Sequence, residues 1–188
     1  LRLERANRDP GSGLNATGEV IRTGTVDDLL DVYALNIQVF SESWSFDGLR
    51  QAVEFGSDLY VCIRGNELAG YVLSRDVIDE VQIMQIAVAP AYRRRGIALA
   101  LSRYLLQQKH HMASATLEVR RSNMPAQSLY LELGFRICGL RPDYYVPEEP
   151  GGEREDAVLM SLDLAESASQ APESASTSGS SAGPESAP

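Results

Sequence analysis

The chain is poor in the residues from which metal centres and thiol chemistry are built. It holds two histidines and two cysteines in 188 residues. His110 and His111 are adjacent, and Cys62 and Cys138 form no Cys-x-x-Cys pair, so no metal-ligand spacing exists and no metal is expected. Both cysteines lie in apolar, strand-like stretches, which predicts buried, reduced thiols. No apolar run reaches the roughly 20 residues that a membrane-spanning helix needs. The opening Leu1-Arg2-Leu3-Glu4-Arg5 lacks the apolar segment of a secretory signal, so a cytoplasmic location is expected. The first residue is Leu1 and not Met, which points to a trimmed or misplaced start. Positive charge is also short: 17 Lys and Arg stand against 26 Asp and Glu, for a net charge of -9 and a pI near 4.7. Nonspecific binding to nucleic acid or to an anionic membrane is therefore not expected.

Hydrophobic residues make up 44% of the chain, enough to pack one domain. The two ends do not join that core. Residues 1–17 are charged and then Gly/Ser/Asn-rich, with no periodicity, and 165–188 are almost wholly Ser, Ala, Glu, Pro and Gly. Both read as disordered, because such compositions bury too little apolar surface to offset chain entropy. The tail carries Glu166, Glu173 and Glu185 and no basic residue, which leaves about -6 on the rest. The folded domain is thus expected over 18–164.

Within it, turn signals and periodicity alternate. Val20-Ile21-Arg22 predicts a short strand. Thr25 caps a helix with an acid, Asp28, three residues on. Leu29, Tyr33, Ile37 and Phe40 form its apolar stripe. A second helix runs from about Ser45 to Phe55-Gly56. Strands follow at 59–63, 68–77 and 81–88, the first two joined by a Gly65-Asn66 turn. A helix from Gly96 to about Gln108 presents Ile97, Ala100, Leu101, Tyr104 and Leu105. Ala115–Val119 is a strand, and Asn123 caps a helix from Met124 to Leu133 that Gly134 ends. Strands at 135–140 and 157–162 close the domain, with a long irregular loop over 141–156. The order β-α-α-β-β-β-α-β-α-β-β predicts an α/β (α+β) fold: a mixed, mostly antiparallel sheet of about seven strands, with helices on both faces.

The strongest chemical signal lies between the strand ending at Val88 and the helix opening at Gly96. Three arginines, Arg93, Arg94 and Arg95, precede Gly96-Ile97-Ala98-Leu99. A helix start offers unpaired N–H groups and a partial positive charge. Gly96 lets an anion approach the backbone, and the arginines add charge-assisted hydrogen bonds, so the construction suits a pyrophosphate. Too few glycines are present for a dinucleotide fingerprint, and no Gly-Lys-Ser/Thr follows for a P-loop. A plain structural role as a solvated arginine run competes with this reading. A second signal is Glu118 in the otherwise apolar strand Ala115–Val119. Burying a carboxylate there without a purpose is costly. The alternative is a solvent-facing Glu118 paired with Arg120 or Arg121.

Arg93-x-x-Gly96-x-Ala98, directly after Ile86-Ala87-Val88-x-Pro90, resembles the acetyl-CoA motif of the GCN5-related N-acetyltransferases (GNAT superfamily). Leu117-Glu118-Val119-Arg120, Ser122-Asn123, Leu129-Tyr130 and Leu133-Gly134-Phe135 resemble its RimI-type branch. Phe40 with Trp44-Ser45, Tyr144-Tyr145 and Arg154-Glu155-Asp156-Ala157 extend the likeness over roughly 19–164. The resemblance implies an enzyme that moves acetyl from acetyl-CoA to a protein N-terminal amine, in that branch the alanine of a small-subunit ribosomal protein. It implies that the pantetheine arm pairs with the edge of Ile86, Ala87 and Val88. The pyrophosphate would sit on Arg94 to Leu99, flanked by Arg93, and Asn123 would touch the cofactor. Glu118 would be the base and Tyr130 the acid, with Trp44, Tyr144 and Tyr145 gripping the peptide. Gln82 and Gln85, both neutral, stand on the strand where many relatives carry their base, which favours Glu118. Ala98 replaces a common Gly, and Leu99 stands where some relatives have Arg. An acetyltransferase for a small amine or another protein, and a non-catalytic acyl-CoA-binding module, remain alternatives. Glu118 and Tyr130 together speak against the last.

Overall fold

The computed structural model describes residues 18–147 and 151–165. Of the segments expected to be disordered, 1–17 and 165–188, residues 1–17 and 166–188 lie outside the described residues. Seven strands form one sheet in the order β1-β2-β3-β4-β5-β7-β6. They are β1 (Glu19–Thr23), β2 (Ser57–Arg64), β3 (Glu67–Val77), β4 (Glu80–Val88), β5 (Ser114–Arg120), β6 (Arg136–Tyr145) and β7 (Glu155–Asp163). Every neighbouring pair is antiparallel except β4 with β5. The helices are α1 (Leu29–Val39), α2 (Phe46–Glu54), α3 (Ile97–Gln108) and α4 (Met124–Glu132).

Strand alternation divides the core in two. On one face Val72, Val81 and Ile83 meet Ile97, Leu101 and Leu105 of α3 and Tyr130 of α4. On the other, Tyr71, Leu73 and Ala87 meet Leu29, Val32 and Leu35 of α1 and Leu49 of α2. The caps behave as their sequences dictate. The Asp28 carboxylate accepts from the Thr25 backbone N–H at 2.9 Å and is held by Arg22 at 2.7 Å. Ser45 caps α2 by accepting from the Gly48 N–H, and Asn123 caps α4 by accepting from Ala126. Gly134 ends α4 with φ +92°, a left-handed conformation that Gly adopts without a Cβ clash.

Three expectations fail. The buried stripe of α1 is Leu29, Val32, Leu35 and Asn36, while Ile37 is exposed; a buried Asn turns the helix away from the all-apolar register. β6 runs on to Tyr145 and β7 starts at Glu155, so the expected 141–156 loop is strand at both of its ends. Pro142 and a left-handed Asp143 (φ +51°) interrupt the alternation without ending the strand, and pairing shifts between Arg141 and Tyr145. Cys138 is exposed, because it sits on the edge strand at a register shift between Ile137 and Gly139; Cys62 is buried as expected.

Two irregularities in β4 shape the functional region. Pairing with β3 skips Met84: Leu73 faces Gln85, while Ser74 faces Ile83. This bulge inverts the alternation, so Val81, Ile83, Ile86 and Val88 all pack towards α3, while Ala87 turns towards α1. Pairing with β5 covers only Glu80–Ile83 against Ser114–Leu117. Beyond it β4 stays on β3 and β5 stays on β7, so the two strands part and leave a wedge in the sheet.

Candidate active site

One wall of the wedge is main chain. Ile86, Ala87 and Val88 present to it an edge that no strand among the described residues pairs. The chain then turns through Pro90–Tyr92 to Gly96, which caps α3 in a left-handed conformation (φ +79°). Nothing lies within 4 Å of where a Gly96 Cβ would stand, so the N–H groups opening α3 are reachable. Arg94 also has positive φ (+62°), and such alternation turns successive N–H groups into an anion-binding concavity. Ile97 is buried and anchors the helix, while Ala98 and Leu99 lie half-buried. The three arginines differ in use. Arg93 Nε donates to the Val88 carbonyl at 3.3 Å, and Arg95 stacks on Tyr92 at 5.6 Å, whose hydroxyl donates to Glu67. Arg94 is exposed.

The opposite wall is side chain. Glu118 pairs across to Leu159 and, beyond it, Gly139; Arg120 pairs to Ala157 and, beyond it, Arg141. Directly opposed residues share a face, so Glu118, Arg120 and Arg141 stand together above the small Ala157. Leu117 and Val119 point the other way, into the α3–α4 core. Glu118 is neither deeply buried nor paired with Arg120 or Arg121. Its partner is Arg141, Nη1 to Oε1 at 2.8 Å, with 30% of the Glu118 side chain exposed. The Glu118 carboxylate also acts on the Tyr144 phenol, and this interaction, with burial, pushes the phenol up. Arg141 in turn covers the Tyr144 ring at 4.9 Å.

Arg120 ties the surrounding segments down. It bridges Glu155 at 3.0 Å and Glu42 at 3.3 Å, donates to the Val146 carbonyl, and stacks on Tyr145 at 4.5 Å. Four segments therefore meet on one guanidinium. Burial alone would raise the Glu155 carboxyl, but hydrogen bonds from Ser122 and Arg120 outweigh it and hold it low. Tyr144 and Tyr145 meet edge to face at 4.9 Å. Trp44 stays with the α1–α2 packing, and Glu42, two residues before it, links that segment to Arg120. Asn36 fixes Trp44 from behind: its amide donates to the Trp44 carbonyl at 2.8 Å, and its oxygen accepts from Gln85. Gln85 accepts from Tyr71 at 2.6 Å, so this glutamine is spent on structure.

Tyr130 stands on α4, in the core on the α3–α4 face of the sheet. It is buried, rests edge to face on Phe135 at 5.8 Å, and lies within electrostatic reach of Tyr145. Burial pushes its phenol far above the ordinary value, so it holds its proton at neutral pH. Glu118 and Tyr130 thus stand on opposite faces of the sheet. Asn123, at the α4 start, is occupied with capping. Among the described residues no cluster of His, Cys, Asp or Glu could hold a metal ion, and no helix is long and apolar enough to cross a membrane.

Sequence reasoning missed Arg141, Glu42 and Asn36, and named Arg120, Glu155 and Gln85 without their pairings here. The only local signal was the misfit of Asn36 in an apolar stripe.

A sheet that splits beside a glycine-capped helix is the frame of the acetyltransferase (GNAT) family, whose model matches residues 29–135. The chain belongs to that family and is an N-acetyltransferase; the family draws its acetyl group from acetyl-CoA. Among its relatives is the [ribosomal protein bS18]-alanine N-acetyltransferase of Escherichia coli K12, 38% identical over 103 residues, 54% of this chain and 68% of the relative. The enzyme of the same name from Haemophilus influenzae is 32% identical over 139 residues, 73% and 93% of the two chains. The crystal structure of the ribosomal-protein-S18-alanine N-acetyltransferase from Escherichia coli superposes with TM-score 0.73 at 28% identity, covering 78% of this chain and 94% of that one.

Proposed function

We propose that the protein acetylates the N-terminal α-amino group of a protein in the cytoplasm, with an alanine-initiated small-subunit ribosomal protein as acceptor. The observation that carries this reading is the placement of Glu118 beside Tyr144 and Tyr145, at the mouth of the wedge that α3 closes on the other side. The names of the bS18-alanine relatives support the acceptor class.

The main-chain wall fits acetyl-CoA. The edge of Ile86, Ala87 and Val88 would pair with the amides of the pantetheine arm, and the helix start from Arg94 to Leu99 would take the pyrophosphate, flanked by Arg93. Bound there, the cofactor supplies an activated acetyl thioester. An α-amino group with a pKa near 8 arrives mostly protonated at neutral pH. Glu118 takes that proton, directly or through water, from the acceptor face. Tyr130, protonated and on the other face, gives a proton to the departing thiolate. Trp44, Tyr144 and Tyr145 hold the first residues of the acceptor, and Asn123 supports the cofactor side through α4.

General acid or base help is worth about 10²–10⁴-fold in rate. Glu118→Gln and Tyr130→Phe should each lower kcat by something in that range and leave the acetyl-CoA Kd nearly unchanged. The Gln variant should also lose part of the rise in rate with pH. The acceptor is tested with labelled acetyl-CoA against alanine-initiated peptides, other N-termini, polyamines and amino sugars. Preference for a polyamine would overturn the acceptor, and wild-type turnover by Glu118→Gln across neutral pH would overturn the base.

A further inference from the structure

The 2.8 Å ion pair between Arg141 and Glu118 occupies the very group that the reaction needs free. A carboxylate bound to a guanidinium is engaged by a cation that does not release its proton in the working pH range. Both side chains are partly open to water, Arg141 51% and Glu118 30% exposed, so the pair is weak and exchangeable. The displaced guanidinium has a place to go, since it already lies over the Tyr144 ring. Its strand is fixed independently: Arg154 donates to the Asp143 and Tyr144 carbonyls at 2.6 and 2.7 Å, next to the Arg141 position.

We infer that Arg141 is an internal stand-in for the acceptor: its guanidinium holds the place on Glu118 that the substrate's α-ammonium takes, and the acceptor enters by displacing it. This rests on the reading of Glu118 as the group that receives the amine. The exchange conserves charge, ammonium in and guanidinium out, so the half-buried carboxylate is never left unpaired. An incoming chain with a blocked N-terminus brings no charge and cannot win the exchange. The same contact favours release. Once the amine has become an amide it no longer competes, and Arg141 recovers Glu118 as the product leaves. Arg141 therefore sets a tax on acceptor affinity in return for discrimination and turnover. It positions Glu118 and is not itself a proton donor.

The test is a binding cycle read without turnover, using calorimetry with CoA in place of acetyl-CoA. The probes are an alanine-initiated peptide and its N-acetylated form. Arg141→Met should tighten the free-amine peptide by about 2- to 5-fold, the worth of an exposed ion pair. It should leave the acetylated peptide unmoved, and the acceptor KM should fall in step. Arg141→Lys keeps a cation on the carboxylate and should restore affinity towards wild type. In a Glu118→Gln background, Arg141→Met should have no effect on the free-amine peptide. The inference is overturned if Arg141→Met weakens that peptide, if both peptides respond alike, or if the effect persists without the Glu118 carboxylate. A fall in kcat with KM unmoved would also overturn it, by assigning Arg141 to orienting the base. Failure of the base assignment itself shows separately, as unimpaired turnover in Glu118→Gln.

Discussion

The two strands that part beyond Ile83 build their walls by different means. Along β4 and into α3 the groups on offer belong to the backbone: an unpaired edge at Ile86–Val88 and the N–H groups that Gly96 uncovers. Along β5, β6 and β7 they belong to side chains, and those are engaged with one another: Arg141 with Glu118, Arg120 with Glu42, Glu155 and Tyr145. The first wall depends on conformation and tolerates changes of side chain. The second depends on specific pairs and is sensitive to each of them. A cofactor whose pantetheine and phosphates are common to every acyl-CoA suits the first. An acceptor that must be chosen among many suits the second.

The sharpest way to break this comparison is at Gly96. Gly96→Trp puts a bulky side chain into open space, and although the left-handed backbone strains it by about 1–2 kcal/mol, the larger loss should fall on the ligand. The acetyl-CoA Kd should rise by about a hundredfold, some 2.7 kcal/mol. Arg94→Ala, on an exposed side chain, should cost less than about tenfold. Calorimetry decides: undiminished affinity in the folded Trp variant, or a larger loss for Arg94→Ala, would falsify a backbone-built cofactor wall.

Arg120 tests the other wall. Its side chain is 15% exposed and holds four segments, so Arg120→Met should destabilise the domain by about 1–3 kcal/mol. The acceptor KM should rise while the acetyl-CoA Kd stays put. Urea unfolding and separate titration of the two ligands check this, and equal damage to both affinities would mean that the walls are not independent.

The smallest effect is expected away from both walls. Burial raises the Asp28 carboxyl, but hydrogen bonds and charge from Arg22, with hydrogen bonds from Thr25, prevail and hold it below the usual value of 3.8. The unfolded chain then binds the proton more readily, so the contribution is full above the unfolded value and fades as pH falls through the folded one. Stability measured from pH 6 to 2.5 should drop less steeply below pH 4 in Asp28→Asn than in wild type, with acetyl transfer at neutral pH little altered. An identical acid profile would remove Asp28 from the account.

The order of elements and the glycine-capped start of α3 were legible because their signals are local. Periodicity, Gly65-Asn66, Ser45, Asn123 and Gly134 each act within a few residues of themselves, and so does the Arg93–Gly96 run. β6 was cut short because Pro142 and Asp143 imitate the end of a strand. Cys138 was misplaced because edge position follows from strand order, which alternation along one strand does not encode. The acceptor wall was half legible. Glu118 stood out as a carboxylate in an apolar strand, and its role, like Tyr130, Tyr144 and Tyr145, came from resemblance, but the partners of Glu118 depend on β7 lying between β5 and β6. Arg120 meets Glu42 across 78 residues, and no spacing rule links such a pair.

The wedge has a bearing on solubility as well as on chemistry. Unpaired strand edges are templates for aggregation, and natural sheets keep them short or covered. The unpaired edge runs only from Met84 to Val88 and opens inside the sheet, with β5 still attached at its base through Ile83. A strand from a neighbouring molecule would have to enter sideways between two walls of one domain, and it would find too few partners to hold. A slender, flexible chain bearing two amides meets neither obstacle. An opening inside the sheet, unlike one at its rim, would admit a thin chain such as the proposed pantetheine arm more readily than a strand of a second copy of the protein.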